Sequence, residues 1–175
     1  MGRRCNSGLC TGVSGQMSSE NYDLLNKIKE QARKYGVLRG LNKNYTKEEL
    51  LSGLRNVTEE STEIAKMIEG KKIKLSVIGD ELFERYLGAD KNIIALQIGN
   101  NIYVRKSSET ILSDIVHEGT HAIDHNNGIS SKDISSIKGE IKAYTEEYNY
   151  QRKKYGKTTF SSKDEIIVFV HNNYK

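Results

Sequence analysis

Two histidines flank a glutamate in the run His117-Glu118-Gly119-Thr120-His121. On a helix, positions i and i+4 project from one face a turn apart, so His117 and His121 can offer two imidazole nitrogens to a single tetrahedral zinc ion. Glu118 is rotated by about 100° on the same helix, which turns its carboxylate toward a water on the metal and away from the ligand row. Zinc lowers the pKa of such a water to roughly 7, so Glu118 is placed as a general base: it takes the proton, helps the water attack a polarised carbonyl and passes the proton to a leaving amine. The competing reading is a buried histidine pair with an unrelated glutamate. It is weakened because two of only four histidines in the chain fall in this pattern.

A catalytic zinc site takes three protein donors and keeps one position open. His125 extends the histidine row, but eight residues of helix rise by about 12 Å, too far for His117 and His125 to share an ion bound at about 2.1 Å. The following helix offers Glu140, Glu146 and Glu147. With Ile137, Ile141, Tyr144 and Tyr148 as its buried stripe, Glu140 and Glu147 lie along one edge while Glu146 points nearly opposite, toward solvent. Glu140 and Glu147 are separated by about 10 Å of rise, so only one of them reaches the metal. Glu140 is preferred and Glu147 remains the alternative.

These side chains need elements to hold them. Leu112, Ile115, Val116 and Ala122 predict a helix around the histidines, capped at Ser107 or Ser108 and stopping at Asn126-Asn127-Gly128. Before it, Ile93 to Ile98 and Ile102 to Val104 flank Gly99-Asn100-Asn101 as an edge hairpin, and Ile73, Leu75 and Val77 alternate as a strand. After it, a long helix is expected from about Asp133 to Lys154, then a final helix opened by Ser162 and Glu165. Upstream, Leu24, Leu25, Ile28, Ala32 and Tyr35 keep helical spacing, and Thr46 and Thr58 open two further helices. The expectation is an α+β fold: a helical N-terminal half, a small mixed β-sheet with an edge hairpin, the histidine helix, and a following helix with the third donor. Residues 1–17, rich in Gly, Ser and Asn, read as a flexible leader, and residues 18–175 as a single domain.

Composition narrows the function classes. The chain of 175 residues is 36% hydrophobic and 29% charged, with 27 basic and 23 acidic residues, net +4. Basic and acidic residues are interspersed, which argues against nucleic acid as a partner. No run approaches the roughly 18 apolar residues of a membrane span, and no apolar stretch follows Arg3 and Arg4 to make a secretory core. The only cysteines, Cys5 and Cys10, sit in the leader without the further donors that a metal site there needs.

The run His117-Glu118-x-x-His121-Ala122-x-Asp124, followed by Glu140-x-x-Ala143, resembles the gluzincin zinc metallopeptidases. It is most similar to the branch of the anthrax lethal factor catalytic domain and the metallopeptidase domains at the C-termini of bacterial polymorphic toxins. The resemblance covers roughly Ile73 to the C-terminus and implies a zincin-like fold, with His117, His121 and Glu140 as zinc ligands and Glu118 as the general base. Asp124, one turn beyond His121, then becomes a carboxylate that accepts the ring N–H a ligating histidine leaves over. The chain departs from that branch at Gly119-Thr120 and around Glu140, which weakens any inference about substrate. An oxyanion donor is expected among Tyr144, Tyr148, Tyr150, Tyr155 and His171, which the sequence leaves unranked.

The function expected from the resemblance is a zinc-dependent endopeptidase whose peptide or protein substrate lies along the strand edge before the histidine helix. A bacterial toxin or effector is the preferred biology, secreted or delivered into a target cell as part of a larger exported protein, with a matching immunity protein as partner. Two alternatives stand beside it: a cytosolic regulatory zinc protease, and a non-catalytic binding domain in which zinc only staples two helices. The last needs a fourth protein ligand, for which only Cys5, Cys10 and His171 are at hand.

Overall fold

The computed structural model describes residues 4–6, 9–11, 45–87 and 93–174; the helix expected around Leu24 to Tyr35 lies outside them. Within the stretch read as a leader, β1 (Arg4–Asn6) and β2 (Leu9–Thr11) pair antiparallel, with Cys5 opposite Cys10. The short pairing has no hydrophobic period to announce it.

Capping side chains set the next two helices. Thr46 accepts from the Glu49 amide while the Glu49 carboxylate accepts from the Thr46 amide, opening α1 (Lys47–Leu54). Thr58 and Ser61 reciprocate in the same way at α2 (Glu59–Glu69). Leu50, Leu51 and Leu54 of α1 and Ile64, Ala65, Met67 and Ile68 of α2 are buried together.

A three-stranded mixed sheet follows, built from β3 (Lys74–Ile78), β4 (Ala95–Ile98) and β5 (Asn101–Arg105), with α3 (Asp80–Leu87) after β3. The order is β3-β5-β4: β5 runs parallel to β3 and antiparallel to β4. The expected hairpin is present, and Gly99 at its turn has φ +60, a left-handed conformation that glycine adopts without strain. The strand entering the histidine helix, β5, is therefore the centre of the sheet, and the antiparallel β4 is an edge, with β1 beside it.

The histidine helix is α4 (Ile111–Asn126). Its N-cap position is Thr110, not Ser107 or Ser108, and the Thr110 hydroxyl is drawn to the Asp114 carboxylate at 2.9 Å. The long helix expected from Asp133 is broken in two, a short α5 (Ser131–Ile134) and then α6 (Ile137–Tyr155), because Ser136 caps a new start by accepting from the Gly139 amide. Gly156, at φ +71, ends α6. The final helix is present where its capping pair predicts it: Ser162 accepts from the Glu165 amide to open α7 (Lys163–Asn173).

The architecture is α+β, with two principal cores. One joins α1, α2, the sheet and the inner face of α4. The other packs Tyr144 and Tyr148 of α6 against Phe160 and against Ile166, Phe169, Val170 and Tyr174 of the C-terminal segment. The α4–α6 contact lies where these cores meet. Among the described residues, no helix is long and apolar enough to cross a membrane.

Candidate metal centre

Helix α4 is buried almost all round, every residue from Ser113 to Ile123 being buried. It is enclosed by α2, the β4–β5 hairpin and α6. Gly119 makes the approach of α2 feasible: a Cβ there would stand 2.6 Å from Cδ1 of Ile64. With α2 and the sheet covering its apolar sides, the side chains of His117 and His121 face α6.

Helix α6 presents Glu140, its fourth residue, to them. The Ser136 cap fixes where the helix begins, and Gly139 presses against α5, where a Cβ would lie 2.0 Å from the Ile134 carbonyl oxygen. Glu140 Oε2 is 3.5 Å from His117 Nε2, and Glu140 Oε1 is 3.5 Å from His121 Nε2. One donor atom from each of the three residues fits within 4.8 Å of the others.

Those separations fit a shared cation better than hydrogen bonds. Direct N–H···O bonds close to about 2.7–3.2 Å, whereas two atoms each about 2.1 Å from a tetrahedral ion stand about 3.4 Å apart. His117 Nε2, His121 Nε2 and both Glu140 oxygens are buried without a hydrogen-bond partner among the described residues. Four inward polar atoms in this condition are costly unless something else satisfies them. Two imidazoles and one carboxylate form a zinc-type donor set, and among the described residues no fourth protein donor joins the cluster.

Glu118 is fully buried beside this group, and neither of its carboxylate oxygens has a hydrogen-bond partner among the described residues. Burial pushes its carboxyl up to about 8; His117 opposes the rise, and Glu140 and Asp114 add to it. For His117 burial works downward, but the Glu140 and Glu147 carboxylates outweigh it and raise the imidazole to about 10. Burial would raise the Glu140 carboxyl, yet His121 and His117 together hold it below the usual carboxylate range. The protein side chains alone thus hold a proton that a cation would have to displace.

Glu147, the alternative third ligand, stands on the other side of His117. Its Oε2 lies 3.3 Å from Nδ1, the nitrogen that does not face Glu140. It therefore stands in the place expected for Asp124, as an acceptor for the N–H that His117 would have left over with a metal on Nε2. Asp124 instead pairs with Lys142 Nζ, and His121 Nδ1 has no hydrogen-bond partner among the described residues. Lys142 sits on α6, 18 residues along the chain from Asp124, so only the helix packing reveals the pair. Glu146 is half-buried and outside the cluster, and His125 lies beneath the hairpin turn, its Nε2 3.5 Å from where a Gly99 Cβ would be.

Geometry separates the tyrosines. The Tyr150 hydroxyl donates to the Gly53 carbonyl, Tyr155 meets Tyr150 edge-on, Tyr148 is part of the α6–α7 core, and His171 is exposed. Tyr144 remains: its ring stands edge-on to His117 with centroids 4.6 Å apart. Its hydroxyl is 3.5 Å from that of Tyr174, a residue the sequence pattern did not single out because it follows the last helix. Burial, with Glu140 adding to it, raises both phenols well above the ordinary range, so both stay protonated donors.

No family model, curated protein or solved structure matches the chain, and the reading of the centre stands on the side chains described above.

Proposed function

We propose that the protein is a zinc-dependent endopeptidase of zincin-like fold, with zinc held by His117 Nε2, His121 Nε2 and the Glu140 carboxylate. The observation that carries this reading is Glu118: a fully buried carboxylate with no hydrogen-bond partner among the described residues, next in sequence to one donor of a three-donor cluster. A buried carboxyl without a hydrogen-bond partner is a stability cost whether it is neutral or charged, and the position of Glu118 gives that cost a chemical use. When bound, zinc supplies Lewis acidity that polarises a carbonyl and makes water nucleophilic near neutral pH. Glu118 takes the proton of the attacking water and returns it to the amine of the broken peptide bond. The nearest candidates for a hydroxyl donor are Tyr144, whose ring meets His117, and Tyr174, whose hydroxyl is 3.5 Å from that of Tyr144.

A substrate extended along the β4 edge would lie next to α4; β1 flanks that edge and would have to give way. The motif's resemblance to toxin metallopeptidase domains supports a toxin or effector role, with delivery as part of a larger exported protein and an immunity protein as partner. A cytosolic regulatory protease would use the same chemistry.

One observation favours a second reading. His117, Glu118, His121 and Glu140 are all 0% exposed, which suits a non-catalytic domain whose metal only staples α4 to α6. Catalysis requires this closed arrangement to open to a peptide.

The experiment is zinc content after dialysis, paired with proteome-wide cleavage mapping. The proposal expects about one zinc per chain, lost in His117→Ala, His121→Ala and Glu140→Ala, with cleavage that disappears in Glu118→Gln while zinc stays. Zinc without any Glu118-dependent cleavage would leave the stapled domain, and a zinc-free parent chain would end both readings.

A further inference from the structure

We propose that Gln151 is a positioning residue for the metal centre: it locks Glu147 onto His117 Nδ1, so that His117 Nε2 is the nitrogen committed to metal, and it ties this commitment to the loop between α6 and α7. The inference rests on the metal reading above and concerns residues that do not touch the metal.

The argument is one of hydrogen-bond polarity. The Thr159 backbone N–H can only donate, and the Gln151 side-chain atom 2.7 Å from it must be the carbonyl oxygen Oε1. That fixes the amide orientation without choice, and Nε2 becomes the atom 3.0 Å from Glu147 Oε1, donating to it. The other Glu147 oxygen, Oε2, is 3.3 Å from His117 Nδ1 and accepts its proton. With the proton kept on Nδ1, the lone pair that an imidazole offers to a metal is on Nε2. Nε2 is the atom that faces Glu140 in the three-donor cluster.

Burial makes each link hard to replace with water: Gln151 is 1% exposed, Glu147 8% and His117 0%. The links also come from one stripe of α6. Residues 140, 144, 147 and 151 follow the spacing i, i+4, i+7, i+11, a single helix face. Along that face Glu140 meets the Nε2 side of His117, Tyr144 meets its ring, Glu147 meets its Nδ1 side, and Gln151 backs Glu147. Thr159 carries the chain onward into the loop whose Phe160 packs against Tyr144. The loop and the metal-facing nitrogen are thus joined by three consecutive hydrogen bonds, each with a defined direction.

A plain packing role for Gln151 makes different demands, and substitutions separate them. Gln151→Met keeps volume and removes both polar ends. Gln151→Glu keeps the acceptor for Thr159 but turns a carboxylate toward Glu147. Zinc affinity is measured by chelator competition on the full chain, and the hydrogen-bonded His117 Nδ1–H is followed by proton and nitrogen NMR. The expected result is a loss of zinc affinity of about 10- to 100-fold in both variants, together with loss of the protected Nδ1–H signal. In a Glu147→Gln background the same substitutions should add little, because the link they act through is already broken.

Folded Gln151→Glu protein that binds zinc as tightly as the parent and keeps the Nδ1–H signal would overturn the inference. So would a parent chain in which metal sits on His117 Nδ1, read from its coupling to bound cadmium-113. If Gln151→Met fails to fold, Gln151→Glu and the parent spectrum decide. A parent chain that binds no metal refutes the centre itself, whereas equal binding by parent and variants refutes only the role of Gln151.

Discussion

Helix α4 carries two buried carboxylates one turn apart, and the structure treats them in opposite ways. Asp114, 2% exposed, lies in the first turn, where the Thr110 hydroxyl reaches it at 2.9 Å and the Ser108 hydroxyl also donates to it. The free amides of a helix N-terminus add a field that favours its charge. Glu118, 0% exposed, sits mid-helix with neither oxygen partnered among the described residues. The same chemical group is thus a structural fastening at one position and, four residues later, a buried group with no hydrogen-bond partner among the described residues. What separates them is the neighbourhood: hydroxyls and helix-end amides around Asp114, the His117-His121-Glu140 cluster that could hold a metal around Glu118.

The largest expected effect breaks the symmetry at Glu118. Glu118→Gln should retain zinc but lower peptide hydrolysis by about 10²- to 10⁴-fold, the usual contribution of a general base, as measured with zinc-loaded protein. The same variant should be the more stable chain when metal is stripped away. The Glu118 carboxyl is raised to about 8 from an ordinary 4.5, so the folded state keeps a proton that the unfolded state releases. Below pH 4.5 both states are protonated and the carboxyl contributes no penalty; as pH rises toward 8 the parent loses stability that the glutamine variant keeps. Denaturant unfolding of metal-free parent and variant across that window checks the sign. A gap that shrinks with rising pH would remove the view of Glu118 as an unsatisfied group.

Asp114 should behave the other way. Asp114→Ala leaves the Ser108 and Thr110 hydroxyls without their acceptor and is expected to cost about 1–3 kcal/mol of stability, read by denaturant unfolding. Zinc bound per folded chain should stay unchanged. A loss of metal without loss of stability would mean that Asp114 serves the centre and that the contrast with Glu118 is false.

How much of this was legible beforehand follows from the range of each interaction. His117, Glu118 and His121 are read from spacing within one helix, and the pair Glu140 and Glu147 from the phase of the next helix against its apolar stripe, because both depend only on local periodicity; that phase does not choose between the two glutamates. The hairpin and the capped helix starts were local as well. The position of β5 at the centre of the sheet was not, since the parallel pairing with β3 joins segments more than twenty residues apart. The break at Ser135-Ser136 was hidden because the apolar stripe continues across it, and only the Ser136 cap and the close approach of Gly139 to α5 impose it. Glu147 was legible as a carboxylate near the site but not in its role, and Gln151 and Tyr174 were not legible at all. Their partners are a backbone amide in a loop and a hydroxyl on another helix, brought near only when α7 folds back on α6.

The smallest expected effect tests the third carboxylate of α4. Asp124 has 14% of its side chain exposed and pairs with Lys142, whose side chain is 45% exposed. Solvent screens such a pair, and ion pairs of this kind are worth about 0–1 kcal/mol. Asp124→Asn should therefore change stability by less than about 1 kcal/mol and leave the zinc dissociation constant where it is, as read by chelator competition. A tenfold weaker zinc site would instead place Asp124 behind the histidines, as the sequence pattern suggests, and would mean that the Lys142 pair gives way when the metal binds. An unchanged constant leaves α4 with a fastening at Asp114, a carboxyl without a hydrogen-bond partner among the described residues at Glu118 and a screened ion pair at Asp124, three fates set by burial and available partners.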